Sequence, residues 1–159
     1  MNKSKKILFL IIVSFIIINY AINSFLKPVE VSYSGINTEL SLSNDVEVLF
    51  DHYGVPSVFA DNDSDMFKVA GYIGARDRLF QMAFMKYAYK GQLSLVVNDT
   101  LFAEDRFLRT LGFEKTAKKT LDKVSPDILK HLEDTCYGIN TYVQNLSPNE
   151  YPLEFKLLQ

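Results

Sequence analysis

Between positions 46 and 93 the chain reads VEVLFDHYGVPSVFADNDSDMFKVAGYIGARDRLFQMAFMKYAYKGQL: short β-rich stretches, a tight turn, then a long and mostly apolar helix that carries charges. Residues 38–42 and 46–50 alternate apolar and polar side chains, and 57–60 is short and β-rich. This predicts a small antiparallel set of strands with Val46, Val48 and Phe50 on one face. Gly54 and Pro56 supply the bend between the last two. From Met66 onward the spacing turns helical: Met66, Val69, Ala70, Ile73, then Phe80, Phe84 and Tyr87. Phe67, Leu79, Met82 and Ala83 widen that stripe until little of the helix is left to face water, so it is expected to lie buried within a larger body.

Side chains able to cap this helix stand just before it, in the Asp61-Asn62-Asp63-Ser64 stretch. Gly71 and Gly74 fall in its interior, where each costs about 1 kcal/mol relative to alanine; close packing or a bend accounts for them better than helix propensity. Further helices are predicted over 103–111 and 114–124. Ser125 then reads as an N-cap with Pro126 in the first turn of another helix ending near Leu146. Ile128, Leu129, Leu132, Cys136, Ile139, Tyr142 and Val143 form its apolar face, and 147–149 (SPN) stops it. The fold class is α+β, mostly helical with a small antiparallel β element.

Part of the 48% hydrophobic composition lies outside that fold. Residues 7–26, from Ile7 to Leu26, carry no charge and follow Lys3, Lys5 and Lys6. At about 1.5 Å per residue this stretch is about 30 Å long, enough to cross a hydrocarbon core. The lysine-rich flank places 1–6 in the cytoplasm and everything after the span on the periplasmic or extracellular side. An uncleaved anchor fits better than a cleaved signal peptide, because no small-x-small cleavage site is found. The polar stretch 27–37, broken by Pro28 and Gly35, reads as a stalk, with the folded part over 38–159. The single cysteine, Cys136, cannot form an internal disulfide and is expected to be a small buried side chain. A net charge of −2 gives no electrostatic ground for a nucleic-acid partner.

The charges inside the apolar helix, Arg76, Asp77 and Arg78, and those of the next one, Glu104, Asp105, Arg106 and Arg109, must be paired if buried. Their alternating signs predict an ion-pair network pinning two helices, in preference to a substrate-carboxylate clamp. His52 and His131, the two histidines, belong to no metal-ligand or triad spacing and are expected to be solvated or structural. Asp61, Asn62, Asp63 and Asp65 lack the glycine and distal glutamate of a calcium loop, and capping explains them more simply. No catalytic, cofactor-binding or metal-binding residue is assigned within the chain.

The turn residues Asp51, Tyr53, Gly54, Val55 and Pro56, then Ala60 and Asp61, the stretch GYIGARDRLFQM over 71–82, Gly91 and Leu93, DRFLRTLG over 105–112 and PLEF over 152–155 together resemble the opening of the α chain of the penicillin acylase family. The resemblance covers roughly 46–159. It implies an incomplete αββα N-terminal-nucleophile hydrolase fold, to which these residues would contribute an outer strand or two and a layer of helices. It further implies a serine nucleophile at the start of a separate β chain, freed by self-cleavage far downstream, with its own α-amine as base. No Gly-Ser-Asn processing stretch occurs here, and Ser43-Asn44 follows Leu42 and reads as a turn. The structural calcium common in the family would be held after Gln159, as would the acyl-pocket residues.

The expectation is therefore an inactive N-terminal piece of a membrane-anchored, exported acylase. Its partners would be the missing β chain, the lipid bilayer through 7–26 and a small-molecule amide substrate. PLEFKLLQ ends within an apolar pattern, which agrees with truncation. The alternative is a non-catalytic, membrane-anchored helical binding module.

Overall fold

A computed structural model describes residues 3–26 and 32–158, in two units. The first is a single helix, α1 (Lys3–Phe25). Its stretch Lys6–Ser24, 19 residues with a mean hydropathy of 2.3, is long and apolar enough to cross a membrane by length and composition. The expected stalk falls partly at 27–31, outside the described residues.

The second unit starts with a hairpin, β1 (Glu47–Phe50) and β2 (Pro56–Phe59), paired antiparallel with Val48 opposite Val58 and Phe50 opposite Pro56. The alternation fixes which side faces inward: Val46, Val48 and Phe50 are half-buried, while Glu47 and Leu49 are exposed. Asp51 closes the turn, its Oδ1 accepting from Tyr53 N (2.9 Å) and Val55 N (2.8 Å). Gly54 sits there at φ +77°, a conformation that side-chain-bearing residues disfavour. Pro56 is tolerated because a two-stranded sheet leaves it on an edge. The predicted strand at 38–42 does not form. Its backbone groups go to side chains instead: Ser41 N donates to the Tyr137 hydroxyl, Glu39 N to Asn37 Oδ1, and Ser41 O accepts from Lys68 Nζ. Alternation alone could not show that those groups would be taken up this way.

Helix α2 (Asp63–Lys90) is capped by Asn62 and ends at Gly91, whose left-handed backbone closes a Schellman turn: Gly91 N bonds Ala88 O at 2.8 Å and Gln92 N bonds Tyr87 O at 2.9 Å. Single 3-10 turns follow at Leu93–Leu95 and Asp99–Leu101, then α3 (Phe102–Leu111), α4 (Phe113–Leu121), α5 (Pro126–Asn145), another 3-10 turn at Pro148–Glu150 and α6 (Leu153–Leu157). Ser125 caps α5 with Pro126 in its first turn, as the sequence predicts.

The core lies where α2 crosses α5. Val69, Ile73, Ala75 and Leu79 are its buried apolar residues on α2. The crossing is a backbone contact: a Cβ on Gly71 would stand 2.2 Å from Thr135 O, and one on Gly138 1.9 Å from Lys68 O. Close approach explains Gly71. The bend expected nearby occurs at Arg78 (φ −138°, ψ 26°), one turn after Gly74. Past that break α2 packs less deeply: Phe80 meets Phe155 edge to face at 5.3 Å, Tyr89 meets Phe113 at 5.4 Å, and Met85 and Tyr89 remain exposed. Within this unit Val69, Ile73 and Leu79 of the predicted stripe are buried and Ala70 is exposed.

On α5 the buried face is centred on Asp134 and Gly138, not on the apolar residues marked in the sequence. Ile128, Leu132 and Cys136 are exposed. Burial of Cys136 is therefore corrected. The helix sets Gly138 where the two backbones approach closely, while Leu129, Ile139, Tyr142 and Val143 of the marked face are half-buried, Tyr142 meeting Tyr72 edge to face at 5.3 Å.

Candidate functional site

Three carboxylates are buried in this unit: Asp65, Asp105 and Asp134. Asp65, with none of its surface exposed, stands three residues after the Asn62 cap. Asn62 Oδ1 accepts from Asp65 N (2.8 Å), and Asn62 Nδ2 donates back to Asp65 Oδ2 (2.8 Å). The same Oδ2 accepts from the backbone N–H groups of Ser43 (2.9 Å) and Asn44 (3.2 Å), and Lys68 Nζ reaches Oδ1 at 3.2 Å. The Asn62 bond foremost, then Lys68, Ser43 and Asn44, overcome burial and lower the acid to about 2 from 3.8. A carboxylate so saturated with donors is a poor proton acceptor at neutral pH, and its work is to bind the 43–44 turn to the start of α2.

Asp105 repeats the device on α3. Its Oδ1 accepts from Leu93 N (2.7 Å), and its Oδ2 from Ser94 N (2.9 Å) and Ser94 Oγ (2.6 Å). Burial opposes ionisation, but these bonds, with the nearby Arg109 charge, hold the acid below its ordinary range. Arg109 Nε bonds Gly91 O at 2.7 Å, so α3 grips both ends of the Gly91–Leu93 turn. Asp134 on α5 is paired with Lys130; burial again works against the charge, and Lys130 and Ser64 outweigh it, leaving the carboxyl below its usual range.

The predicted ion-pair network between α2 and α3 is corrected by this geometry. Among the described residues, the salt bridges join Lys68 to Asp65, Arg76 to Asp77, Lys118 to Glu114 and Lys130 to Asp134, each within one helix. Backbone N–H groups and the Ser94 hydroxyl, not hydrogen bonds from arginines, satisfy Asp105. Arg76 stacks its guanidinium over Phe50 (4.8 Å) and Tyr33 (5.2 Å) while Nε bonds Asp77 at 2.9 Å. It joins the hairpin to α2 by cation–π contact. Arg78, Glu104 and Arg106 are exposed.

A polar cluster ties the 37–39 loop across α2 and α5. The Tyr72 hydroxyl donates to Glu39 Oε2 (2.7 Å) and accepts from Asn37 Nδ2 (2.9 Å), while Asn145 Nδ2 donates to the same Glu39 oxygen at 3.0 Å. Burial and the Glu39 bond push the phenol up to about 12, so Tyr72 stays protonated.

His52 lies at the hairpin tip against Tyr53, ring centres 3.8 Å apart, and is exposed; His131 stacks on Phe67 at 4.4 Å. The two histidines stand on separate elements with separate partners. Asn62, within the marked acidic stretch, is the helix cap. Among the described residues, no group of three or more His, Cys, Asp or Glu is placed to hold a metal ion. The roles of Asp105, Asp134 and Gly138 were missed. An isolated glycine in a helical stretch was the available sign for Gly138, but nothing local to Asp105 shows which N–H groups it will meet.

The geometry is that of a scaffold: carboxylates committed to backbone and lysine donors, aromatic rings clamping a hairpin, and a tight helix crossing. A sequence profile of the penicillin amidase family matches residues 45–159, most of the chain. The chain belongs to the penicillin amidase family. Relatives in the family include the penicillin acylase 2 proenzyme of Pseudomonas sp. (strain SE83), 27% identical over 117 residues that make up 74% of this chain and 15% of that protein. The acyl-homoserine lactone acylase QuiP of Pseudomonas fluorescens (strain Pf0-1) is 26% identical over 69% of this chain and 14% of its own length. The chain thus spans about one seventh of the curated family members it matches. Its fold is similar to that of the thermostable penicillin G acylase of Alcaligenes faecalis, with a TM-score of 0.57, 24% identity, and coverage of 72% of this chain and 69% of that one.

Proposed function

We propose that these residues are the N-terminal scaffold of a membrane-anchored, exported acylase that cleaves a linear amide. The observation that carries this reading is the family match over 45–159, together with relatives that are acylases for different substrates. In this reading 1–6 is a cytoplasmic flank, 7–26 an uncleaved anchor, 27–37 a stalk and 38–159 the opening of the α chain. The attacking serine stands at the start of a β chain outside these residues, with its own α-amine as base and an oxyanion hole completing the site. Any calcium is held by residues beyond 159.

The part played by this chain is positional. The buried aspartates fix two turns against α2 and α3, Arg76 holds the hairpin, and the crossing of α2 with α5 gives a rigid layer for the catalytic chain to pack on. Such support matters because catalytic groups must be held to within a fraction of an ångström of productive geometry.

The test is to read the genetic locus past codon 159 and express what it encodes. A frame continuing to a Gly-Ser-Asn stretch, whose product hydrolyses an acyl amide only with that serine intact, supports the reading. Residues 28–159 alone are expected to hydrolyse no amide. A stop at that codon with no β-chain partner nearby would remove the enzyme reading and leave a non-catalytic, membrane-anchored module.

A further inference from the structure

Helix α4 has no buried residue, an unusual position for a helix carrying Phe113 (42% exposed), whose ring meets Tyr89 of α2 on one side, and Leu121 (47% exposed). At 100° per residue, Phe113, Ala117, Thr120 and Leu121 fall on one side. The Thr120 hydroxyl is spent on Thr116 O (2.9 Å), which lets its methyl join the apolar stripe. Lys115, Lys118 and Lys119 occupy the rest of the circumference and its edges, and Lys123 follows just past the helix end, against only Glu114 and Asp122, in a chain whose net charge is −2. The Glu114–Lys118 contact (2.9 Å) is largely exposed and neutralises little. Just before this helix, Phe107 and Leu111 of α3 are also exposed.

A protein partner fits this surface poorly, because interface centres are depleted in lysine. A narrow apolar stripe bordered by lysines suits the boundary between acyl chains and anionic headgroups, where the stripe dips below the phosphates and the lysines reach back to them. We propose that α4 is an interfacial helix that lays Ala117, Thr120 and Leu121, with the open edge of the Phe113 ring beside them, on an anionic lipid surface. The inference rests on the membrane-anchored reading, since an anchored domain stays within reach of the bilayer, and it adds a second lipid contact remote in sequence from the span.

The experiment uses the full chain reconstituted in phosphatidylcholine–phosphatidylglycerol vesicles, with Cys136→Ser and single cysteines labelled by an environment-sensitive fluorophore at Ile16→Cys, Ala117→Cys, Thr120→Cys or Lys119→Cys. Quenching by lipids brominated on their acyl chains is expected at 16, 117 and 120 but not at 119, with the signals at 117 and 120 lost in vesicles of phosphatidylcholine alone. Quenching at 16 without quenching at 117 or 120 would overturn the interfacial helix and leave the anchor standing, whether those labels were open to water or covered by protein. Equal quenching at 117 and 119 would also overturn it. Absence of quenching at all four positions would remove both the anchor and the inference.

Discussion

Replacing Gly138 by alanine tests the helix crossing directly. The added Cβ would stand 1.9 Å from Lys68 O and 2.8 Å from Tyr72 N, against ordinary contacts of 3.4–4 Å, and both neighbours are backbone atoms that cannot rotate away. Relief requires α2 and α5 to part by about 1.5 Å, the shortfall from ordinary contact. A gap of even 0.5–1 Å forfeits about a quarter to a half of each dispersion well along the seam. Overpacking of this kind costs about 1–3 kcal/mol, and the better helix propensity of alanine returns up to ~1 kcal/mol. Taking the upper part of that range, because the clash is with backbone, the net loss is about 2 kcal/mol, or about 30-fold in the opening equilibrium.

Gly74→Ala supplies the control on the same helix: its Cβ meets only the Met82 methyl at 3.1 Å, a flexible end that can move, so its propensity gain should survive. Amide hydrogen exchange in detergent reads local opening without requiring one global transition. Protection across α2 before Arg78 and across α5 should fall about 30-fold in Gly138→Ala and hold or rise in Gly74→Ala. Gly71→Ala should resemble Gly138→Ala, and the double variant should lose less than the sum, since one separation relieves both clashes. If Gly138→Ala protects these helices as well as Gly74→Ala does, the backbone contact is not what joins them.

Asp65 gives a pH signature: its acid is depressed, so the stability it contributes is complete above the unfolded value near 3.8 and is lost as pH falls through about 2. A carboxyl carbon resonance titrating at 3.8 or above would contradict the four-donor site, as would Ser43 and Asn44 amide shifts that do not move with it. Asp105→Ala should strip the Leu93 and Ser94 amides of their acceptors and raise exchange at that turn while leaving the first half of α2 protected; unchanged exchange there would refute the pin. Arg76→Met removes contacts to two rings worth about 1 kcal/mol each. The Leu49, Asp51 and Ser57 amides, which face the partner strand, should then exchange about 10-fold faster or more, and an unaltered hairpin would show that Arg76 does not hold it.

What could be read in the sequence was the periodic part. The inward side of β1, a cap within 61–64 and the one at Ser125, and the existence of α2 to α5 follow from spacings of two and 3.6 and from the chemistry of caps. Local pattern failed where a distant group determines the outcome. The 38–42 segment alternates like a strand, yet its backbone groups are used by side chains of α2, α5 and the loop itself. The stripe through Leu132 and Cys136 looked like the core face of α5, but Gly138 opposite Lys68 determines which side can approach α2. Arg76 and Asp105 were rightly marked as charges in need of partners; Arg76 found one in its neighbour Asp77, but the aromatic faces under Arg76 and the amides around Asp105 leave no charge pattern.

The buried aspartates also bear on the order in which the unit can assemble. Asp65 binds backbone 21 and 22 residues before it, and Asp105 binds backbone 11 and 12 residues before it. The crossing, by contrast, joins Lys68 to Gly138. Short loops close with less entropy loss than long ones. Both turns can therefore settle onto their helices while α5 is still being synthesised. The later helix then meets a surface already shaped, with Gly71 presenting the flat place where it must dock.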